Sequence, residues 1–164
     1  MKRGFLRDAA VVAVWAALTL AATAAMAWAG SATPYPGTMV IETKHTYTDL
    51  VSRLDAAVKA SRMGLVTRAS ATRGAASIGK TIPGNMVVGV YRPDFAVRML
   101  DASVPAGIEA PLRFYITENS DGTATLTYRK PSAVFAPYEV PALDAMAREL
   151  DPIFEAIAAD ATGG

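Results

Sequence analysis

Apolar and polar residues alternate most regularly between Asn85 and Arg129. Met86, Val88 and Val90 alternate with Val87, Gly89 and Tyr91, which predicts a strand over Asn85–Tyr91. Leu112, Phe114 and Ile116 alternate with Arg113, Tyr115 and Thr117, and Ala124, Leu126 and Tyr128 alternate with Thr125, Thr127 and Arg129. Two further strands, 111–117 and 123–129, therefore each have one apolar and one polar face, with the turn at Ser120-Asp121-Gly122. A four-residue loop would set Ile116 against Thr125, on mismatched faces. A three-residue loop with a left-handed Gly122 instead pairs Ile116 with Leu126 and Phe114 with Tyr128. The same register puts Tyr115 opposite Thr127 and Arg113 opposite Arg129, and two like charges facing each other call for an acid or an anion between them.

The other elements carry weaker signals. Thr38–Lys44 is β-branched and alternating, with Met39 and Ile41 on one face. Thr46-Tyr47-Thr48-Asp49 has the spacing of a helix start, and Leu50, Val51, Leu54, Val58 and Met63 follow at helical spacing up to Gly64, expected to be a left-handed cap. Leu65–Thr72 is expected as a strand of low amphipathicity, and 73–84 as a loop or a distorted hairpin connection. Pro93 suits the first turn of a helix to Asp101 carrying Phe95, Met99 and Leu100. Residues 104–110 and 130–137 read as irregular. Pro141 opens a last helix with an apolar stripe of Leu143, Met146, Ala147, Leu150, Phe154 and Ile157; Pro152 lies inside it and is expected to kink it by removing the bond to the Arg148 carbonyl, and Thr162-Gly163-Gly164 is expected to fray. The fold class is α+β: two layers, an antiparallel sheet of about five strands with helices on one face, in the order β-α-β-β-β-β-α with a short helical insertion before the last hairpin.

The first 29 residues form a leader. Lys2, Arg3 and Arg7 precede an alanine-rich apolar run, then Ala27-Trp28-Ala29, the layout of a secretory signal with cleavage after Ala29. The alternative is a retained anchor, since the run approaches the roughly 20 residues that span a bilayer. Either way the domain is expected outside the cytoplasm, periplasmic or secreted, with a linker over 30–37 and one domain over 38–160. The whole chain has 16 basic and 15 acidic residues; without the leader's Lys2, Arg3, Arg7 and Asp8 the counts are 13 and 14, a net charge of −1. That balance gives no pull on nucleic acid, and a membrane partner is expected only if the leader is kept. With no cysteine there are no disulfides and no thiolates, and a single histidine, His45, leaves no multi-histidine metal site. His45 reads as a surface or capping residue.

Gly74-Ala75-Ala76-Ser77-Ile78-Gly79-Lys80-Thr81 spells the phosphate-loop pattern G-x-x-x-x-G-K-[ST]. The mechanism needs a helix starting at Gly79-Lys80-Thr81, and Pro83-Gly84 ends any such helix within a turn, so the match is a coincidence of letters.

Val87-Val88-Gly89-Val90-Tyr91-Arg92-Pro93, Ala96 and Leu100, Pro111-Leu112, Asp121-Gly122 and Tyr128-Arg129-Lys130-Pro131 together resemble the domain-of-unknown-function 302 family, as does Leu54-x-x-Ala57 through Gly64-Leu65. The likeness spans Thr38 to Ile157. It implies a small domain of the TATA-binding-protein-like fold type, often dimeric, with no established activity. Several such relatives carry cysteines at the positions of Tyr91 and Leu112, so no thiol, redox or metal role carries over.

Arg113, Tyr115, Thr127 and Arg129 form the candidate site, with Tyr91 or Lys130 as possible additions; they suit an anionic or carbohydrate-like ligand. The plainer reading is a solvated or dimer-forming sheet face. Glu109 and Glu118 read as isolated carboxylates, and Ser132 lacks a base and an orienting acid. No cofactor and no metal are expected. The expected function is an exported module, homodimeric, that binds a small ligand or a protein partner. Two alternatives remain open: a small cofactor-free enzyme using tyrosine, arginine and carboxylate groups, and a membrane-anchored structural envelope protein.

Overall fold

Two-residue periodicity and one left-handed glycine decide the centre of the fold. A computed structural model describes residues 30–163. The signal segment expected over 1–29, its cleavage site after Ala29, and Gly164 lie outside the described residues. From Thr33 onward the chain forms one unit.

The elements run β1 (Thr38–Thr46), α1 (Tyr47–Ala60), β2 (Gly64–Ala69), α2 (Ala71–Ser77), β3 (Asn85–Tyr91), α3 (Pro93–Ala102), a 3-10 turn (Val104–Glu109), β4 (Leu112–Glu118), β5 (Thr123–Arg129), α4 (Pro131–Phe135), a 3-10 turn (Ala136–Tyr138) and α5 (Pro141–Thr162). The five strands form one antiparallel sheet in the order β1-β5-β4-β3-β2, with helices on one face. No helix among the described residues is long and apolar enough to cross a membrane.

The hairpin takes the three-residue loop. Phe114 pairs with Tyr128, Tyr115 with Thr127 and Ile116 with Leu126, and Gly122 has φ +83°. Asp121 fixes the turn, its Oδ1 accepting from the backbone N–H and the hydroxyl of Thr123 at 3.0 and 2.6 Å. These two bonds hold its carboxyl below the usual carboxylate range. One side of β4 and β5 is thereby committed to the core. Phe114, Ile116, Ala124 and Leu126 are fully buried, and Phe154 of α5 stacks on Phe114 with ring centroids 5.0 Å apart. The whole predicted stripe of α5 is buried, from Leu143 to Ile157.

The start of α1 follows its sequence signal, with the Thr46 hydroxyl accepting the Asp49 N–H at 3.2 Å. Its end does not. The left-handed residue is Arg62 (φ 56°), and the Arg62 and Met63 N–H groups close the helix on the Lys59 and Val58 carbonyls. Gly64 instead opens β2, where a Cβ would stand 3.2 Å from the Tyr91 carbonyl oxygen. β2 stops at Ala69 rather than Thr72, because the Ser70 hydroxyl caps α2 by accepting the Arg73 N–H at 3.2 Å. Part of the expected 73–84 loop is thus helical. Gly74 lies within α2 and no helix begins at Gly79, so the phosphate-loop letters have no phosphate-loop geometry.

Three further expectations need correcting. Leu100 is exposed, and α3 buries Phe95, Ala96 and Met99. Residues 131–138 are helical rather than irregular, with Pro131 at the first turn of α4, Val134 and Phe135 buried, and the Ser132 N–H donating to Asp151 Oδ1 at 2.9 Å. α5 does not fray at Thr162: left-handed Gly163 caps it, its N–H bonded to the Ala159 carbonyl. The last carbonyls also have partners. Arg53 donates to Ala161 O at 2.7 Å and to Asp160 O at 3.3 Å, and His45 Nε2 lies 3.3 Å from Thr162 O while Nδ1 lies 2.9 Å from Asp49. His45 is therefore a capping residue that ties β1 and α1 to the end of α5.

Candidate functional site

The open face of the sheet is built from the polar positions of the strands. Register aligns Val40, Thr127, Tyr115, Val87 and Ala69 in one row across the five strands. Toward the end where β4 begins and β5 finishes, the next row holds Thr38, Arg129, Arg113, Gly89 and Thr67. Here the β4–β5 ladder ends at Phe114–Tyr128. Beyond it Arg129 pairs outward with Thr38 of β1 and Arg113 with Gly89 of β3. Two guanidinium groups facing each other repel, and a ladder that closes before reaching them avoids that cost.

A hollow of about 250 Å³ lies at this parting, lined by Glu109, Leu112, Arg113, Tyr115, Thr127 and Arg129, with Val87 and Val134 among its apolar walls. Four of the five residues expected from sequence thus come together. Tyr91 does not join them; it lines a smaller apolar cavity with Val90, Phe95 and Met99. Lys130 is also diverted, its ammonium pairing with Glu155 of α5 at 2.8 Å.

The two arginines differ in how they are held. Arg113 is exposed, and its side chain has no hydrogen bond or ion pair among the described residues. Arg129 is half-buried: Nη2 donates to the Ala133 carbonyl at 3.3 Å, the guanidinium carbon lies 5.1 Å from the Tyr35 ring centroid, and Nε is buried without a partner. A buried donor left unpaired costs about 1–3 kcal/mol, which a ligand acceptor would relieve. Tyr115 is anchored by the Asn85 amide, which donates to its hydroxyl.

Two residues of this site carried no sequence signal. Glu109 had read as isolated, yet the 3-10 turn brings it to the hollow, where the Tyr138 hydroxyl donates to Oε1 at 3.2 Å. Burial, then that bond to the carboxylate, push the Tyr138 phenol above its ordinary value. Tyr35 belongs to the segment expected to be a structureless linker. That segment is tied down: the Lys130 N–H bonds the Gly37 carbonyl at 2.8 Å, and Gly37 (φ +72°) sits so close to α4 that a Cβ would meet Ala133 Cβ at 2.3 Å.

The family profile described as "Domain of unknown function DUF302" matches residues 39–159. The chain belongs to the DUF302 family. Among solved structures it is similar to the uncharacterized conserved protein DUF302 from Bacillus stearothermophilus, at 19% identity and a TM-score of 0.67, over 74% of this chain and 95% of that one. At that identity the likeness concerns the fold alone. No curated protein matches the chain. The DUF302 match covers β1 through most of α5 and so contains every lining residue of the hollow; Tyr35 lies just outside it.

Proposed function

We propose that this DUF302 chain is an exported binding module that takes a small anion into the hollow at the β4–β5 parting. The observation that carries this reading is the pair of arginines there, one free of any partner among the described residues and the other with a buried, unsatisfied Nε. Guanidinium groups bind carboxylate and phosphate oxygens through charge-assisted bonds that are roughly twice as strong as neutral ones. The hollow offers them beside the hydroxyl of Thr127 and the ring of Tyr115. Binding is favoured over catalysis because Glu109 is the one carboxylate among the described residues that line the hollow, so no acid/base pair is assembled there.

The test is calorimetric titration with butyrate, sulfate and inorganic phosphate. At least one should bind the wild-type chain, and the double variant Arg113→Ala/Arg129→Ala should lose about 30-fold or more in affinity, the equivalent of about 2 kcal/mol. Its thermal unfolding serves as the control for folding. Equal affinity in wild type and a folded double variant would place anion binding elsewhere.

Export and a homodimer belong to the same proposal. The leader layout supports export, and a secreted form starting at Gly30 would be its signature. Val40 on β1 and Ala69 on β2, exposed apolar positions at the two edges of the open face and outside the hollow's lining, suit a second copy. Light scattering of the secreted form should give twice the mass of one chain; a single-chain mass at micromolar concentration contradicts the dimer.

A further inference from the structure

We infer that the anion is a short aliphatic carboxylate carrying a hydrogen-bond donor at its other end, a hydroxy or amino acid of few carbons. This rests on the anion reading above and adds what Glu109 and the walls select. Three charged groups line one hollow, yet Glu109 makes no ion pair with Arg113 or Arg129. Arg113 and the Nε of Arg129 are left to be satisfied from outside. Tyr138 occupies Oε1 of Glu109, and Oε2 has no partner among the described residues. An acceptor-only group presented there repels a bare anion and accepts from a hydroxyl or an ammonium. Beside these poles Val87, Leu112 and Val134 supply an aliphatic wall, and Tyr115, Thr127 and Tyr128 complete the lining.

Size narrows the class further. About 250 Å³ falls below the roughly 300–1,000 Å³ of sites for drug-sized ligands, which sets an upper bound on the ligand and admits a short-chain acid with room to spare. Two guanidinium groups and one carboxylate leave one positive charge. A hydroxy acid neutralises that charge; an amino acid distributes its own two charges over the same poles. Inorganic phosphate carries more negative charge and no aliphatic body, and would press an oxygen against Glu109 or leave the apolar wall bare.

Titration of the purified chain with 4-hydroxybutyrate, 4-aminobutyrate, butyrate and inorganic phosphate separates these cases. At least one of the first two should bind about tenfold more tightly than butyrate, and Glu109→Gln should cut that preference below about threefold while leaving butyrate within about twofold. Glutamine still accepts from Tyr138, so folding is preserved. Equal binding of butyrate and its substituted forms, a preference that survives Glu109→Gln, or phosphate binding above all three would overturn the inference. In each of those outcomes, loss of binding in Arg113→Ala/Arg129→Ala would leave the anion reading standing. No binding by any probe would overturn both.

Discussion

Phe154→Ala is expected to lower stability by about 3–5 kcal/mol, the range for deleting a buried aromatic ring. Phe154 is fully buried at the crossing of α5 and the sheet, stacked on Phe114 at 5.0 Å and tilted against Tyr128 at 6.2 Å. Phe114 also faces Tyr128 across the hairpin at 5.3 Å, so the three rings form one cluster. Removing the helix member takes away aromatic contacts worth about 0.5–1.5 kcal/mol per pair as well as the transfer free energy of the ring. Neither neighbour can follow the loss, because each is fixed by ladder pairing on its strand. Domains of this size have about 5–15 kcal/mol in total, so the variant should be visibly less stable. In urea, with a slope of about 2 kcal/mol per molar, the midpoint should fall by about 1.5–2.5 M. The exposed Val97→Ala is the control and should stay within about 0.5 kcal/mol. Equal midpoints for the two variants would mean that α5 does not close the core over the hairpin.

Gly89→Ala is the second. Gly89 is buried in β3, and a Cβ there would stand 2.2 Å from Thr67 Oγ1 and 2.7 Å from Pro111 Cγ. Thr67 sits on an edge strand and can rotate its hydroxyl away. The proline ring cannot rotate; it must move with the start of β4. Overpacking of this kind costs about 1–3 kcal/mol, and we expect the upper half of that range. Since Gly89 pairs with Arg113, shifting the start of β4 also moves a wall of the hollow, and anion affinity should fall with stability. Adding Thr67→Ala should recover less than half of the loss. Full recovery would show that Thr67 alone was the obstacle, and a cost below about 0.5 kcal/mol would contradict the packing described for this position.

The hairpin register could be read from sequence because one glycine and a two-residue period leave a single pairing that keeps Phe114, Ile116, Leu126 and Tyr128 on one face. Once register was set, Arg113, Tyr115 and Thr127 had to share the other face. The same reasoning failed where no period exists. Glu109 reaches the hollow from a 3-10 turn, and Tyr35 reaches the Arg129 guanidinium from a proline-flanked segment, both placed by tertiary packing alone. Tyr91 has the right parity but lines a different cavity, since strand alternation gives the face and not the position along it. Pro131 opens α4 by the rule that Pro93 and Pro141 also follow, yet a five-residue helix has no repeat to announce it. Gly64 looked like a helix cap because it follows the last apolar position, whereas its backbone is needed beside Tyr91. Ser70 caps α2 without the acidic residue three places on that marks Thr46 as a cap.

The central claim is that an anion enters where β4 and β5 part, between Arg113 and Arg129. Amide and arginine-Nε chemical-shift mapping during a butyrate titration addresses it residue by residue. The Arg129 Nε–H signal should move furthest, with shifts at Arg113, Tyr115, Thr127 and Glu109 and none at the opposite end of the sheet around Lys44 and His45. Saturable shifts centred on Lys44 and His45, with the Arg129 Nε–H unmoved, would contradict it.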